Sequence, residues 1–143
     1  METNQENSSK IKLDFSEGKY ATGRRKRSVA KVWLKKGTGK IFVNGKNIDD
    51  YFKRPSHKMQ ILKPLEIINQ STEYDIRSNV IGGGLSGQAG ALVHGISRAL
   101  LKFDANFKPS LRKEKLTTRD PRSVERKKPG RAKARKSFQF SKR

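Results

Sequence analysis

The chain has 143 residues, and its 34 Lys and Arg against 13 Asp and Glu leave a formal net charge of +21. No run approaches the ~18–20 apolar residues of a membrane helix, which excludes a spanning segment of that kind. The lack of cysteine excludes disulfides, a thiol nucleophile and Cys-ligated zinc, and His57 and His94 are too far apart in sequence to suggest a histidine metal site or triad. An apolar fraction of 32% implies a small core, and a body that repels itself this strongly expects a polyanion to complete it.

Residues 1–19 are polar and mixed in charge, with Glu2, Glu6, Asp14 and Glu17 arguing against a transit peptide. They read as a disordered N-terminal extension. Tyr20 opens the globular domain, expected to span 20–104 at a net charge of +10. Its first feature is the basic cluster Arg24-Arg25-Lys26-Arg27. Four consecutive cations leading into a strand cannot all face a core, so they suit phosphate oxygens or a charged strand edge.

In Ser28–Lys36, Ala30, Val32 and Leu34 alternate with polar positions, which predicts a strand. Gly37-Thr38-Gly39 and the run Lys40–Asn44 then predict a β-hairpin with it. Asn44-Gly45 forms the next tight turn, and Asp49 or Asp50 is expected to cap a helical turn bearing Tyr51 and Phe52. A helix from Ser56, with Met59, Ile61 and Leu62 as its apolar members, is expected to stop or kink at Pro64. Tyr74–Ile81 predicts a third strand.

Gly82-Gly83-Gly84-Leu85-Ser86-Gly87 opens the strongest helix, whose buried stripe is Leu85, Ala89, Leu92, Val93, Ile96, Leu100 and Phe103. His94, Arg98 and Lys102 recur on another face. Small residues at 87, 90, 91 and 95 allow close approach of a strand or of a phosphate backbone.

That glycine loop also fits the G-x-G-x-x-G dinucleotide fingerprint, with Asp104 about 20 residues on. The context fails, because no apolar parallel strand follows the helix; Ala105–Lys115 is basic and broken by Pro109. No cofactor is therefore expected. The glycines retain a physical use, since free N–H groups at a helix start bind phosphate; the same loop can equally be a tight turn needing positive φ.

Residues 105–143 hold 15 cations and 3 acids. A short helix is expected at Ser110–Leu116, followed by an extended basic tail. Beyond Glu125 stand nine cations in 18 residues and no acid. Pro129-Gly130 breaks any membrane-surface helix, and only Phe138 and Phe140 are bulky and apolar there. Nucleic-acid binding is the reading this favours.

Spaced blocks now carry a resemblance. Tyr20-Ala-Thr-Gly-Arg-Arg-Lys, Gly39-Lys-Ile-Phe-Val-Asn-Gly, Gly82-Gly-Gly-Leu-Ser-Gly-Gln-Ala-Gly-Ala, Thr118-Arg-Asp-Pro-Arg, Val124-Glu-Arg-Lys-Lys-Pro-Gly and Gln139-Phe-Ser-Lys-Arg occur in order. Together they resemble the bacterial-type family of the ninth small-subunit ribosomal protein. The resemblance covers residues 20–143. It implies an α+β fold: a small two-layer α/β sandwich with a four-stranded mixed sheet, helices on one side, a left-handed crossover, and a long basic C-terminal tail. It also implies a non-catalytic constituent of a cytoplasmic (or organellar) ribosome, with 16S rRNA, P-site tRNA and neighbouring head proteins as partners, and with no membrane or small-molecule substrate.

The rRNA-binding residues so implied are Arg24, Arg25, Lys26, Arg27, Gly83, Gly84, Ser86, Gly87, Gln88, His94 and Arg98 in the body. In the segment that follows they are Arg119, Arg122, Arg126, Lys127, Lys128, Arg131, Lys133, Arg135 and Lys136. Ser141, Lys142 and Arg143 are implied to contact the tRNA anticodon stem-loop. A free-standing basic RNA-binding protein or RNA chaperone is the alternative.

Overall fold

Strict alternation in the second strand buries Ala30, Val32 and Leu34 on one side and leaves Lys31 exposed on the other. A computed structural model of the chain, which describes residues 15–142, carries this alternation through a mixed sheet. Strands β1 (Lys19–Arg25), β2 (Ser28–Lys36), β3 (Ile41–Val43), β4 (Lys46–Asn47) and β5 (Tyr74–Ile81) are arranged in the order β1-β2-β5-β3-β4. Helices α1 (Ile48–Tyr51), α2 (Pro55–Ile67), α3 (Leu85–Phe103) and α4 (Lys108–Lys113) complete the α+β body, with a 3-10 turn at Ala105–Phe107. The sheet thus has five strands where four were expected, because Lys46-Asn47 pairs with Val43 and Phe42 beyond the Asn44-Gly45 turn.

The expected hairpin between Ser28–Lys36 and Lys40–Asn44 does not form. β5 lies between the two runs, antiparallel to β2 and parallel to β3. The Asp75 carboxylate helps to anchor the intervening loop on β5: one oxygen accepts the backbone N–H of Thr38 at 2.8 Å and of Lys40 at 2.9 Å. Burial works to raise the Asp75 pKa, but these N–H donors and the Thr38 hydroxyl outweigh it and hold the group below its ordinary value. The glycine loop therefore wraps around the start of β5 and does not turn directly back on β2.

Two helix expectations are also corrected. Asn47 caps α1, its side chain accepting from the Ile48 N–H, while Asp49 and Asp50 fall in the first turn. Pro64 neither ends nor interrupts the span of α2, which runs on to Ile67. Proline removes one N–H from the helix, and its ring here is fully buried in the core, so packing offsets the lost bond. Leu85, expected in the buried stripe of α3, is 47% exposed, and Met59, an apolar member of α2, is 69% exposed.

The core lies between the sheet and one helical layer, where α3 crosses β1, β2 and β5, and α2 packs on α3. Leu34, Phe52, Ile61, Leu65, Ile76, Leu92, Ile96, Leu100 and Leu111 are its largest fully buried side chains, and Tyr74 is buried beside them. Leu111 brings α4 into this core, past the expected limit at Asp104. At the other end Phe15 is buried, while residues 1–14, most of the expected extension, lie outside the described residues. Among the described residues no helix is long and apolar enough to cross a membrane.

Candidate nucleic-acid interface

The basic cluster and the glycine loop, 55 or more residues apart in sequence, meet at one end of the body. Arg25 ends β1, and Lys26, at φ 50°, makes the turn into β2. The Ser28 hydroxyl donates to the Gly82 carbonyl at 3.0 Å, and a Cβ at Gly82 would stand 2.6 Å from the Arg27 carbonyl oxygen. Gly82 and Gly83 both have positive φ (76° and 62°), the left-handed region that glycine enters without strain. The chain then enters α3 at Gly84 with no side-chain cap. The first N–H groups of α3 therefore open beside Lys26 and Arg27, an arrangement suited to phosphate.

Behind the loop a polar network fixes its shape. Gln88, almost buried, donates to the Gly82 carbonyl at 3.1 Å and accepts from the Tyr51 hydroxyl at 2.7 Å. Ser86 lies 3.2 Å from His57 Nε2. Gly87 packs on the Ser28 hydroxyl. Gln88 and Gly87 thus face the interior, whereas Gly83, Gly84 and Ser86 are exposed.

β1 is an edge strand, and α3 seals its free edge. Lys102 Nζ donates to the Tyr20 carbonyl at 2.6 Å, and Arg98 donates to the Thr22 carbonyl at 2.7 Å. His94 Nδ1 accepts the Arg24 N–H at 3.2 Å. These three side chains recur every four residues, so one helix face meets alternate residues of one strand. Burial lowers the His94 pKa first, and Arg98 and Arg119 lower it further. The neutral imidazole that results is the form able to accept the Arg24 N–H. Two residues expected to touch rRNA, His94 and Arg98, are thereby engaged with the protein's own backbone.

A groove of ≈ 740 Å³ runs from this edge toward α2 and α4. Arg24, Arg25, Lys63, Arg112, Lys115 and Arg119 line it with cations, and Asp120 is its one acid. Val93, Leu116 and Pro121 supply an apolar floor. Lys63, Arg112 and Lys115 were not singled out from sequence, because each stands alone among mixed residues; only the fold gathers them.

The tail leaves from the same groove. Asp120 accepts from Arg122 through both carboxylate oxygens and lies 3.5 Å from Arg25. The Arg122 hydrogen bonds hold its carboxyl well below the usual carboxylate range. Glu125 is lowered likewise by Lys128 and then Arg135. Arg131 bonds the Arg135 carbonyl and the Ser137 hydroxyl. The side chains of Arg126, Lys127, Lys133 and Lys136 reach no acid among the described residues. Phe138 and Phe140 are 66% and 84% exposed. Ser141 and Lys142 follow, and Arg143 lies outside the described residues.

The model of the family described as Ribosomal protein S9/S16 matches the chain over residues 23–143. The match takes in the basic turn, the glycine loop, the groove and the tail. It begins at Gly23, inside β1.

Proposed function

Because the chain belongs to the ribosomal protein S9/S16 family, and is thus a ribosomal protein of the small subunit that acts in translation, we propose how its surfaces divide the work. The basic end of the body and the tail bind 16S rRNA in the subunit head. The tip, Ser141–Arg143, reaches the anticodon stem-loop of the P-site tRNA. Neighbouring head proteins are the remaining partners, and the home is a cytoplasmic ribosome. The role is structural and not catalytic.

One observation carries this reading: Arg24 and Arg25 of the basic turn line the same groove as Arg112, Lys115 and Arg119, from which the basic tail leaves, with Asp120 as the groove's one acid. Phosphate contacts position a protein on RNA irrespective of base identity, and RNA helices offer phosphate and 2′-hydroxyl groups more readily than base edges. The uncapped start of α3 adds backbone donors to this surface. A tail with so few acids follows a polyanion without needing a fold of its own. Its terminal Lys-Arg pair holds phosphate in a sequence-independent way, which suits a tRNA that changes with every codon.

Small subunits reconstituted with a chain lacking Ser141–Arg143 test the tip. The protein is expected to enter the subunit normally and to weaken P-site tRNA binding several-fold. Unchanged tRNA affinity would overturn the tip assignment. Loss of subunit entry would show that these residues serve assembly.

A further inference from the structure

The helices cover one face of the sheet, and among the described residues no element is laid across the other. On that open face the strand registers align one residue from each strand into a row. Tyr20 faces Trp33, Trp33 faces Arg77, Arg77 faces Phe42, and Phe42 faces Asn47. The rings already interact: Tyr20 and Trp33 centroids lie 5.1 Å apart, and the Arg77 guanidinium stands 5.7 Å from the Trp33 ring centre. Tyr20 is 39% exposed, and Trp33 and Phe42 are half-buried.

The charge on this face has one sign. Lys31 and Arg77 are exposed there, and Lys35 shares their face of β2 and β5. The one carboxylate whose register falls on it, Asp75, is buried and occupied by the Thr38 and Lys40 N–H groups. Tyr20 and Trp33 on adjacent strands, and Phe42 one strand further on beyond Arg77, with cations between them and no free acid, match the chemistry of unpaired nucleotides: π-faces for the bases and positive charge for the backbone. A second protein would more commonly meet such a sheet with acidic or apolar groups of its own, but the interleaved cations favour a polyanion. A sheet bearing aromatic residues on neighbouring strands holds two or three splayed bases in this way.

We propose that the open sheet face, centred on Tyr20, Trp33, Arg77 and Phe42, is a stacking platform for unpaired bases of an RNA strand. It is separate from the basic turn, the groove and the tail, and it rests on the reading of the chain as RNA-binding. Trp33 is the sole tryptophan, so its emission reports on this face alone.

The test titrates the full chain with a single-stranded oligoadenylate of about twelve nucleotides, a length within one ordinary single-strand site. Binding is followed both by Trp33 fluorescence and by anisotropy of labelled RNA. Saturable quenching of Trp33 is expected, and an abasic strand of equal length and charge should bind without quenching. Phe42→Leu and Tyr20→Leu, which keep apolar bulk, should each weaken the quenching transition about tenfold while the circular dichroism stays unchanged. If anisotropy shows binding and Trp33 emission does not move, the platform is refuted and the RNA-binding reading survives. If neither signal changes, both fall. A Trp33 response to isolated head proteins of the subunit, with none to RNA, would overturn the proposal in favour of a protein neighbour.

Discussion

Gly23 shows how one missing side chain sets the body together. A Cβ there would stand 1.9 Å from the Ala91 carbonyl oxygen and 2.3 Å from the Gly95 nitrogen. β1 and α3 can touch only because both contribute glycine at the crossing. The small residues of α3 thus serve approach to a strand, one of the two uses their spacing allowed. Gly23→Ala must push the helix off the sheet, since the obstructing atoms are backbone. We expect a loss of about 3 kcal/mol in urea unfolding, the upper range for overpacking. A change below about 1 kcal/mol would show that the crossing is loose. Gly45 is the contrasting case, with open space around its absent Cβ.

At the scale of elements, the sealed edge of β1 joins strand, helix and the start of the tail. Edge strands invite pairing with other chains, and Lys102, Arg98 and His94 occupy those backbone groups. His94 also lines the groove with Leu116 and Arg119, so one imidazole stands between β1 and the segment leaving α4. Its pKa is lowered in the folded state, so the unfolded chain takes up the proton first. The stability it contributes is whole above the unfolded value of ~6.5 and declines as pH falls through it, until the folded-state group itself titrates. Denaturant midpoints should accordingly drop between pH 7.5 and pH 5, and His94→Gln should flatten that slope. A slope unaltered in the variant would place the titration elsewhere. Arg98→Ala is expected to cost about 1 kcal/mol through the exposed Thr22 carbonyl, read by the same midpoints, with no change in fold.

These element-level contacts also show what could be read beforehand. Local periodicity located β2, β5 and α3, because alternation and the helical repeat are properties of contiguous residues, but it passed over β1 (Lys19–Arg25), whose residues were read only as a basic cluster leading into a strand. It misplaced β3, since the strand that separates β3 from β2 comes more than thirty residues later, and the 37–40 loop is tied to it by backbone bonds to Glu73 and Ile76 and by the Asp75 carboxylate. Pro64 misled for a related reason: local propensity is overridden when the ring fills core space. The clustered cations of the site were visible as runs, but Lys63, Arg112 and Lys115 were not, and the row from Tyr20 to Phe42 exists only in the register. His94 and Arg98 had the right spacing for a shared task, and that task is with β1.

The whole molecule is a small basic body with a tail more basic still, residues 105–143 holding 15 cations against 3 acids. Such a charge costs stability to a free chain and returns it on a polyanion, so salt is the natural probe. Each phosphate neutralised on RNA changes the slope of log K against log salt by ~0.7–0.9. The most direct test compares the full chain with one truncated after Glu125, each titrated over a salt series against an RNA fragment spanning the small-subunit head. Nine cations are removed, so with one phosphate to each the slope should fall by about six to eight units, while the truncated body still binds with a smaller slope of its own. Equal slopes for the two chains would mean that the tail lies away from RNA, and would contradict the account at its centre.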